Sequence, residues 1–286
     1  MLKNLNKYFV LTKPKVVILL VLTGLVSYLI AAKGNITVYN IFSAIYIGYA
    51  SSGGAMAINM VIDRDIDILM VRTSNRPSIG SEPISPGRIF SFALILIISA
   101  IIIALIVFNL LTAILVSWGV LFYIFGYSLY LKRATIINTI VGGLASPVPV
   151  FVGYAAALNY IPLETWFLGC LIFLWNPSHT WTLAAIYQED YERANIPILP
   201  TTHGLKRTSQ VIFILGLMLI FYSSFLVFFL GNGEIWGFLG LQLSNLIFFI
   251  VIYRFVRSPS ISTARNCFKF HNLWLAFTFI TILIFV

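Results

Sequence analysis

Charge is what this 286-residue chain has least of: Asp, Glu, Lys and Arg make up 9% of it, while 60% is hydrophobic. An average soluble domain is about 25% charged and roughly 45–50% apolar. A soluble fold of this length would leave too much apolar surface in water, and a disordered chain would need the charge that is missing. Cysteine is nearly absent too. The two present, Cys170 and Cys267, are too far apart in sequence to read as a disulfide framework or a zinc site, and read as thiols in apolar surroundings. Nineteen glycines and eleven prolines are ordinary numbers, which excludes fibrous and linker-rich classes. What remains is a polytopic membrane protein.

Long apolar runs are what the sequence has instead. Nine approach the roughly 20 residues that a spanning helix needs: 16–32, 38–60, 89–108, 111–131, 136–156, 164–187, 210–230, 235–253 and 270–286. Each is apolar all round, as helices in lipid or in a bundle are, so an all-α bundle of nine transmembrane helices is expected. The first run lacks a small-residue cleavage site and reads as a span, not a removable signal. Without long polar extensions, 1–286 is expected to be one integral membrane domain. Without a transit-like extension, a prokaryotic plasma membrane is favoured over a mitochondrial inner membrane.

The loops test the count. With nine spans, 17 of the 18 Lys and Arg fall on one side and only Lys33 on the other, as the positive-inside rule requires. A missed or extra helix would break that alternation. The N-terminus is therefore expected in the cytoplasm and the C-terminus outside. The pI of about 9.6 then reflects topology and attraction to membrane lipid, not nucleic-acid binding, because the bases are spread among loops.

Acidic residues have no such default role, and seven of the nine fall on the cytoplasmic side. The first cluster closes the second run, where Asn59, Asp63 and Asp67 are spaced i, i+4, i+8. On a helix they share one face at steps of about 6 Å. Two carboxylates and an amide carbonyl are hard oxygen ligands of the kind Mg²⁺ shares with substrate phosphates. Asp65 falls off that face. Arg72 and Arg76 follow, and arginine grips phosphate oxygens bidentately. An isolated DxxxD is more often a solvated helix end; the added Asn and paired arginines favour a diphosphate site.

The second cluster, Glu189, Asp190 and Glu192, follows the sixth run. Upstream, Pro177 is positioned to kink the helix, and His179 is an ionisable residue inside a span, a functional candidate by default. A continuous helix would put His179 and Asp190 on one face, about 16 Å apart. Tyr127, Lys132 and Arg133 end the fourth run. The two bases read either as topology signals or as arms reaching a shared anion site. Asn138 lies inside the fifth run, where Gly142 and Gly143 permit close helix packing.

These strings resemble the UbiA superfamily of intramembrane prenyltransferases, from about Thr12 to Gly204. Asn59-x3-Asp63-x3-Asp67 is similar to its first metal motif. The longer string Asp63-Arg64-Asp65-Ile66-Asp67-x2-Met70-x-Arg72-Thr73-x2-Arg76 is more specific to the superfamily's haem branch, the protoheme IX farnesyltransferases or haem O synthases. So are Leu131-Lys132-Arg133-x-Thr135, Trp175-x3-His179 and Asp190-Tyr191-x2-Ala194-x-Ile196-Pro197-x-Leu199-Pro200. Three positions depart from the superfamily's usual pattern. Gly-Ala-x-Pro-Pro reads Ser146-Pro147-Val148-Pro149-Val150, Pro-His reads Ser178-His179, and the first acid of the second motif is Tyr187, a change the haem branch shares.

The resemblance implies a UbiA-type bundle around a cavity open to lipid. It implies that Asn59, Asp63, Asp67 and Asp190 hold Mg²⁺, with Asp63, Asp67, Asp190 and His179 as the catalytic set. Arg72, Arg76, Lys132 and Arg133 would neutralise the diphosphate of a farnesyl donor. His179, Tyr127, Asn138 and Tyr187 would line the haem or prenyl pocket, His179 either as an axial ligand or as a base for water. The implied reaction joins the farnesyl group to the 2-vinyl group of haem b, and the implied partners are haem A synthase or the terminal-oxidase assembly machinery. An aromatic, quinone-precursor or lipid acceptor is the alternative within the superfamily. A transporter fits less well, because the acids lie at span ends and not at the midplane.

Overall fold

The structure, a computed structural model, describes residues 2–132, 135, 137–231 and 235–285. Every regular element among these residues is helical. Eight of the helices are long and apolar enough to cross a membrane: Pro14–Ala32, Val38–Ile62, Pro86–Phe108, Leu110–Leu131, Asn138–Leu158, Leu199–Leu230, Ile235–Arg257 and Ile261–Phe285. Their outward faces carry large apolar side chains such as Ile95, Phe221 and Trp236, which only a lipid environment accommodates in such number. The chain is an integral membrane protein.

The expected run 164–187 is helical over Leu163–Ile186, 24 residues long, but is not among the eight. Its second half brings Asn176, Ser178, His179, Thr180 and Thr182 onto the helix. The helix continues through Pro177 without a break.

Two helices begin earlier than their apolar runs. The run at 210 sits on the part of Leu199–Leu230 that follows a break at Gly204, and the run at 270 on a helix starting at Ile261, so Lys206, Arg207, Arg265 and Lys269, which the apolar runs leave in loops, lie on helices. Lys and Arg are good helix formers whose stems cover apolar surface while their charges reach water, so hydropathy marks the hydrocarbon depth and not the helix end. Within Leu199–Leu230 the chain turns at Gly204, with φ 73 and ψ 171. A side chain is strained there, and glycine is the residue present.

The chain forms two compact units, residues 1–133 with 148–162, and residues 134–147 with 163–286. In the first, Val38–Ile62 packs against Pro14–Ala32 and Pro86–Ile103. Gly54 lets the latter crossing close, since a Cβ there would sit 2.9 Å from the Ala93 carbonyl oxygen. The helix after Leu121 widens into π-helical turns over Phe122–Leu131. In the second unit, Leu163–Ile186, Leu199–Leu230, Ile235–Arg257 and Ile261–Phe285 pack on one another. Polar pairs tie them: buried Trp274 Nε1 donates to Asn245 Oδ1 at 2.7 Å, and the half-buried Tyr222 hydroxyl donates to the Phe167 carbonyl at 2.9 Å. Such bonds hold helices together where burial in lipid gives little driving force.

Candidate diphosphate and metal site

The regular helix stops at Ile62, yet its hydrogen-bond ladder carries on. Asp63 N–H bonds the Asn59 carbonyl at 2.9 Å, and Asp67 N–H bonds the Asp63 carbonyl at 2.8 Å. Asp63 bends the backbone (φ −88, ψ 9) into a short turn, Arg64–Asp67. The expected helical face is therefore a helix end plus one turn, and the four-residue spacing survives because the i→i−4 bonds do. Asn59, Asp63 and Asp67 are only 3%, 1% and 2% exposed. Asp65, expected off this face, is exposed.

Buried carboxylates persist only when paired, and each has a cation. Lys132 Nζ lies 2.5 Å from Asp63 Oδ2, and Arg76 pairs with Asp67 Oδ2. Arg76 rides on a turn fastened by the Thr73 hydroxyl, which donates to the Asp67 carbonyl at 2.9 Å. Arg72 lies exposed near the start of the same turn. Arg133 lies outside the described residues. Tyr127 stacks on Tyr123 with ring centres 5.8 Å apart.

Two contacts were not legible in the motif. Lys13 Nζ donates to Asn59 Oδ1 at 2.6 Å, while Asn59 Nδ2 donates to Asp63 Oδ2 at 2.8 Å and to Ser128 Oγ at 3.2 Å. Ser128 is fixed in turn by donating to the Tyr123 carbonyl at 2.9 Å, five residues back. In the sequence Lys13 is only one of four bases, with Lys3, Lys7 and Lys15, that precede the first apolar run. Its place before Pro14 marks a backbone break, since a residue before proline is steered away from the right-handed helical region, but gives no sign of a partner 46 positions away. Lys13 takes φ 48 and ψ 57, a left-handed conformation costing about 1–2 kcal/mol for a residue with a Cβ. Loss of hydration, and next the Arg76 guanidinium, pull its ammonium from 10.5 down to about 7.

Among the described residues no three His, Cys, Asp or Glu side chains gather closely enough to hold a metal by themselves. The donor set here is two carboxylates and an amide oxygen, which suits Mg²⁺, an ion usually held by one or two carboxylates plus water and substrate phosphates. One observation fits such an ion at this site: Asp63 Oδ1 is buried without a hydrogen-bond partner.

In the second unit the helix bearing His179 ends at Ile186, and Tyr187 (φ −116, ψ 33) leads into a separate short helix, Gln188–Arg193. The condition for a shared helical face of His179 and Asp190 is not met. Asp190 is buried and pairs with Arg193 Nη2. Asn138, assigned to a pocket, donates through Nδ2 to the Pro197 carbonyl at 3.1 Å and accepts from the Thr139 hydroxyl at 2.8 Å. It thereby ties down the segment after Arg193. His179 stacks on Trp175 with centres 4.1 Å apart and lies 4.8 Å from the Phe268 ring. Its Nδ1 is buried and unpartnered.

Comparison with known proteins follows the same lines. The UbiA prenyltransferase family matches residues 20–276. The protoheme IX farnesyltransferase 2 of Pseudoalteromonas atlantica is 38% identical over 278 residues, covering 97% of this chain and 90% of the relative. That of Colwellia psychrerythraea is 37% identical, covering 98% and 91%. A Thermus thermophilus protoheme IX farnesyltransferase is 37% identical over 95% of this chain, but the chain spans only 44% of that relative's length. Among solved structures, a digeranylgeranylglyceryl phosphate synthase superposes with a TM-score of 0.77 at 18% identity over 99% of this chain and 98% of the other. A UbiA homologue from Archaeoglobus fulgidus bound to GPP and Mg²⁺ gives 0.69 at 15% identity over 96% and 99%. Motif, fold and family match agree: the chain belongs to the UbiA prenyltransferase family.

Proposed function

We propose that this chain, as a single prenyltransferase domain, joins the farnesyl group of farnesyl diphosphate to the 2-vinyl group of haem b and yields hydroxyfarnesylated haem O. The relatives' names favour haem as the acceptor. The observation that carries the donor chemistry is the grip of Lys13, Arg76 and Lys132 on Asn59, Asp67 and Asp63, with Asp63 Oδ1 left open.

Asn59, Asp63 and Asp67 hold Mg²⁺ in this reading, and Asp190 joins them on the strength of the sequence motif. Mg²⁺ bound there would neutralise the diphosphate and ease its departure. Lys132 and Arg76 then turn from the carboxylates to phosphate oxygens, and Arg72, Arg133 and Lys13 add charge. Fixed cations in a dry site stabilise the leaving group more than water does. The allylic cation is captured by the vinyl group, and water adds to the product cation and gives up a proton to solvent, leaving the hydroxyl. His179 contacts the haem acceptor, with Tyr127 and Tyr187 on the pocket wall.

Nine spans, with Leu163–Ile186 as the ninth, an inside N-terminus and an outside C-terminus complete the proposal, supported by the division of bases between loops. The bacterial relatives favour a prokaryotic plasma membrane. Association with haem A synthase or the oxidase assembly machinery would hand the product on.

The test is to incubate the purified protein with haem b, farnesyl diphosphate and Mg²⁺ and determine the haem product by mass. Hydroxyfarnesyl haem is expected. Unchanged haem, together with prenylation of an aromatic or glycerol-lipid acceptor, would move the chain to another branch of the family.

A further inference from the structure

His271 lies on the last helix, fully buried, and the reaction scheme leaves it without a task. Its Nδ1 is 3.0 Å from the Cys267 carbonyl oxygen. A carbonyl only accepts, so Nδ1 carries a proton. The ring lies edge-on to Phe248, 4.7 Å between centres, in apolar surroundings that favour the neutral imidazole. Nε2 is then an acceptor, and the Ser178 hydroxyl, 2.7 Å away, donates to it. The backbone carbonyl of His271 also accepts Trp175 Nε1–H at 3.1 Å. One residue of Ile261–Phe285 thus holds two residues of Leu163–Ile186, three apart and on the same helical face.

Both holds end at His179. Trp175 is the ring against which His179 stacks at 4.1 Å, nearly parallel at 21°. Ser178 is its chain neighbour. Phe268, three residues before His271, lies 4.8 Å from the His179 ring. A ligand-binding histidine is usually aimed by a hydrogen bond from its second ring nitrogen. His179 Nδ1 makes none, so the two flanking rings set its plane, and Trp175 is itself hung on His271. The sequence departure at this point gains a reason. Proline, usual before this histidine in the family, has no donor and would leave His271 Nε2 a buried acceptor with no partner. Serine satisfies it.

We propose that His271 is a positioning residue: acting through Trp175 and Ser178, it fixes the orientation of the His179 imidazole toward the acceptor. This rests on the reading of His179 as the haem contact. The test uses His271→Leu, Ser178→Ala, Ser178→Thr, His179→Ala and the His179→Ala/His271→Leu double variant. KM is measured separately for haem b and farnesyl diphosphate, along with the absorption spectrum of bound haem b and the melting temperature.

His271→Leu is expected to raise KM for haem by about tenfold, the scale on which losing a group that orients a ligating histidine costs affinity, to alter the haem spectrum and to leave KM for the donor unchanged. Ser178→Ala should reproduce this in milder form, which keeps the test open if His271→Leu does not fold. Ser178→Thr, which keeps the hydroxyl, should retain wild-type behaviour. In the His179→Ala background His271→Leu should add nothing. Equal changes in both KM values, or full additivity in the double variant, would show His271 to be a packing residue only. If His179→Ala itself leaves haem KM and spectrum unchanged, the assignment of His179 fails first, and the positioning role with it.

Discussion

Lys13 Nζ lies 2.6 Å from Asn59 Oδ1, so the amide that the motif spacing assigns to a metal already holds a cation. The other end of the same amide donates to Asp63. Asn59 is therefore oriented from both sides, its carbonyl toward positive charge and its NH₂ toward negative. Because an amide has distinct donor and acceptor ends, Asn59→Asp would bring two like charges together at Asp63 and should lower turnover, although it adds a metal-ligand type.

Lys13 makes the site sensitive to pH. Its ammonium titrates at about 7 in the fold and at 10.5 in the reference state. Between those values the unfolded chain holds the proton that the folded chain has lost, so this group's contribution to stability rises with pH from about 7 to 10.5. Function runs the other way, because the charge available to a diphosphate falls above about pH 7. KM for farnesyl diphosphate should rise with pH in the native protein, and Lys13→Arg, which keeps its charge, should flatten the rise. Measuring donor KM from about pH 6 to 9 in both proteins decides it; equal slopes would remove Lys13 from donor binding.

Asp63→Asn keeps the shape of the side chain and its hydrogen bond from Asn59 but removes its charge. Turnover should fall by about a thousandfold or more at any Mg²⁺ concentration, the scale of losing a principal electrostatic group. Full activity, read as hydroxyfarnesyl haem formed per minute, would refute the metal assignment.

Arg76 and Lys132 should differ in what replaces them. Arg76→Lys loses the planar fork that suits phosphate and carboxylate alike, so donor KM should rise about 10-fold even though charge is kept. Lys132→Arg keeps charge but brings a bulkier head to a 2.5 Å contact and should cost activity more than binding. Steady-state kinetics with farnesyl diphosphate as the varied substrate separates the two.

Gly204 turns the chain with φ 73 and ψ 171, a region essentially restricted to glycine, where other residues pay about 1–3 kcal/mol. No neighbouring atom lies within 4 Å of an added Cβ, so Gly204→Ala should destabilise through the backbone alone. Gly204→Val should cost more still, with catalytic constants otherwise little changed. A melting curve in detergent reads the effect.

Eight of the spans were legible because apolar length marks a helix in lipid, and the i, i+4, i+8 row because its four-residue step outlasts the break at Asp63 through its backbone bonds. Arg76 and Lys132 were legible as bases near acids. Lys13 and Ser128 were not, since nothing local in a sequence says that residues 46 and 69 positions from Asn59 will meet it. The break at Tyr187 was hidden by good helix formers on both sides, and the helix starts at Leu199 and Ile261 by the polarity of the turns that precede the apolar runs. His271 carried no motif at all; only the partner helix gives it meaning.

The widened helix before Lys132 has a consequence for how relatives are compared. Over Phe122–Leu131 the backbone bonds reach back five residues, and Lys132 N–H itself bonds the Tyr127 carbonyl. Wide winding accommodates more chain than an α-helix of the same rise, as an inserted residue does. Deleting one residue between Phe122 and Tyr127 is therefore expected to be absorbed by rewinding toward α-helix, with Lys132 kept on the side of Asp63, whereas the same deletion in a plain α-helix would swing it by about 100° around the axis. The base that meets Asp63 is thus held there by the winding as well as by residue identity. A relative with one residue fewer would keep its lysine in place behind a tighter helix, and an alignment would show the change only as a gap in the widened stretch.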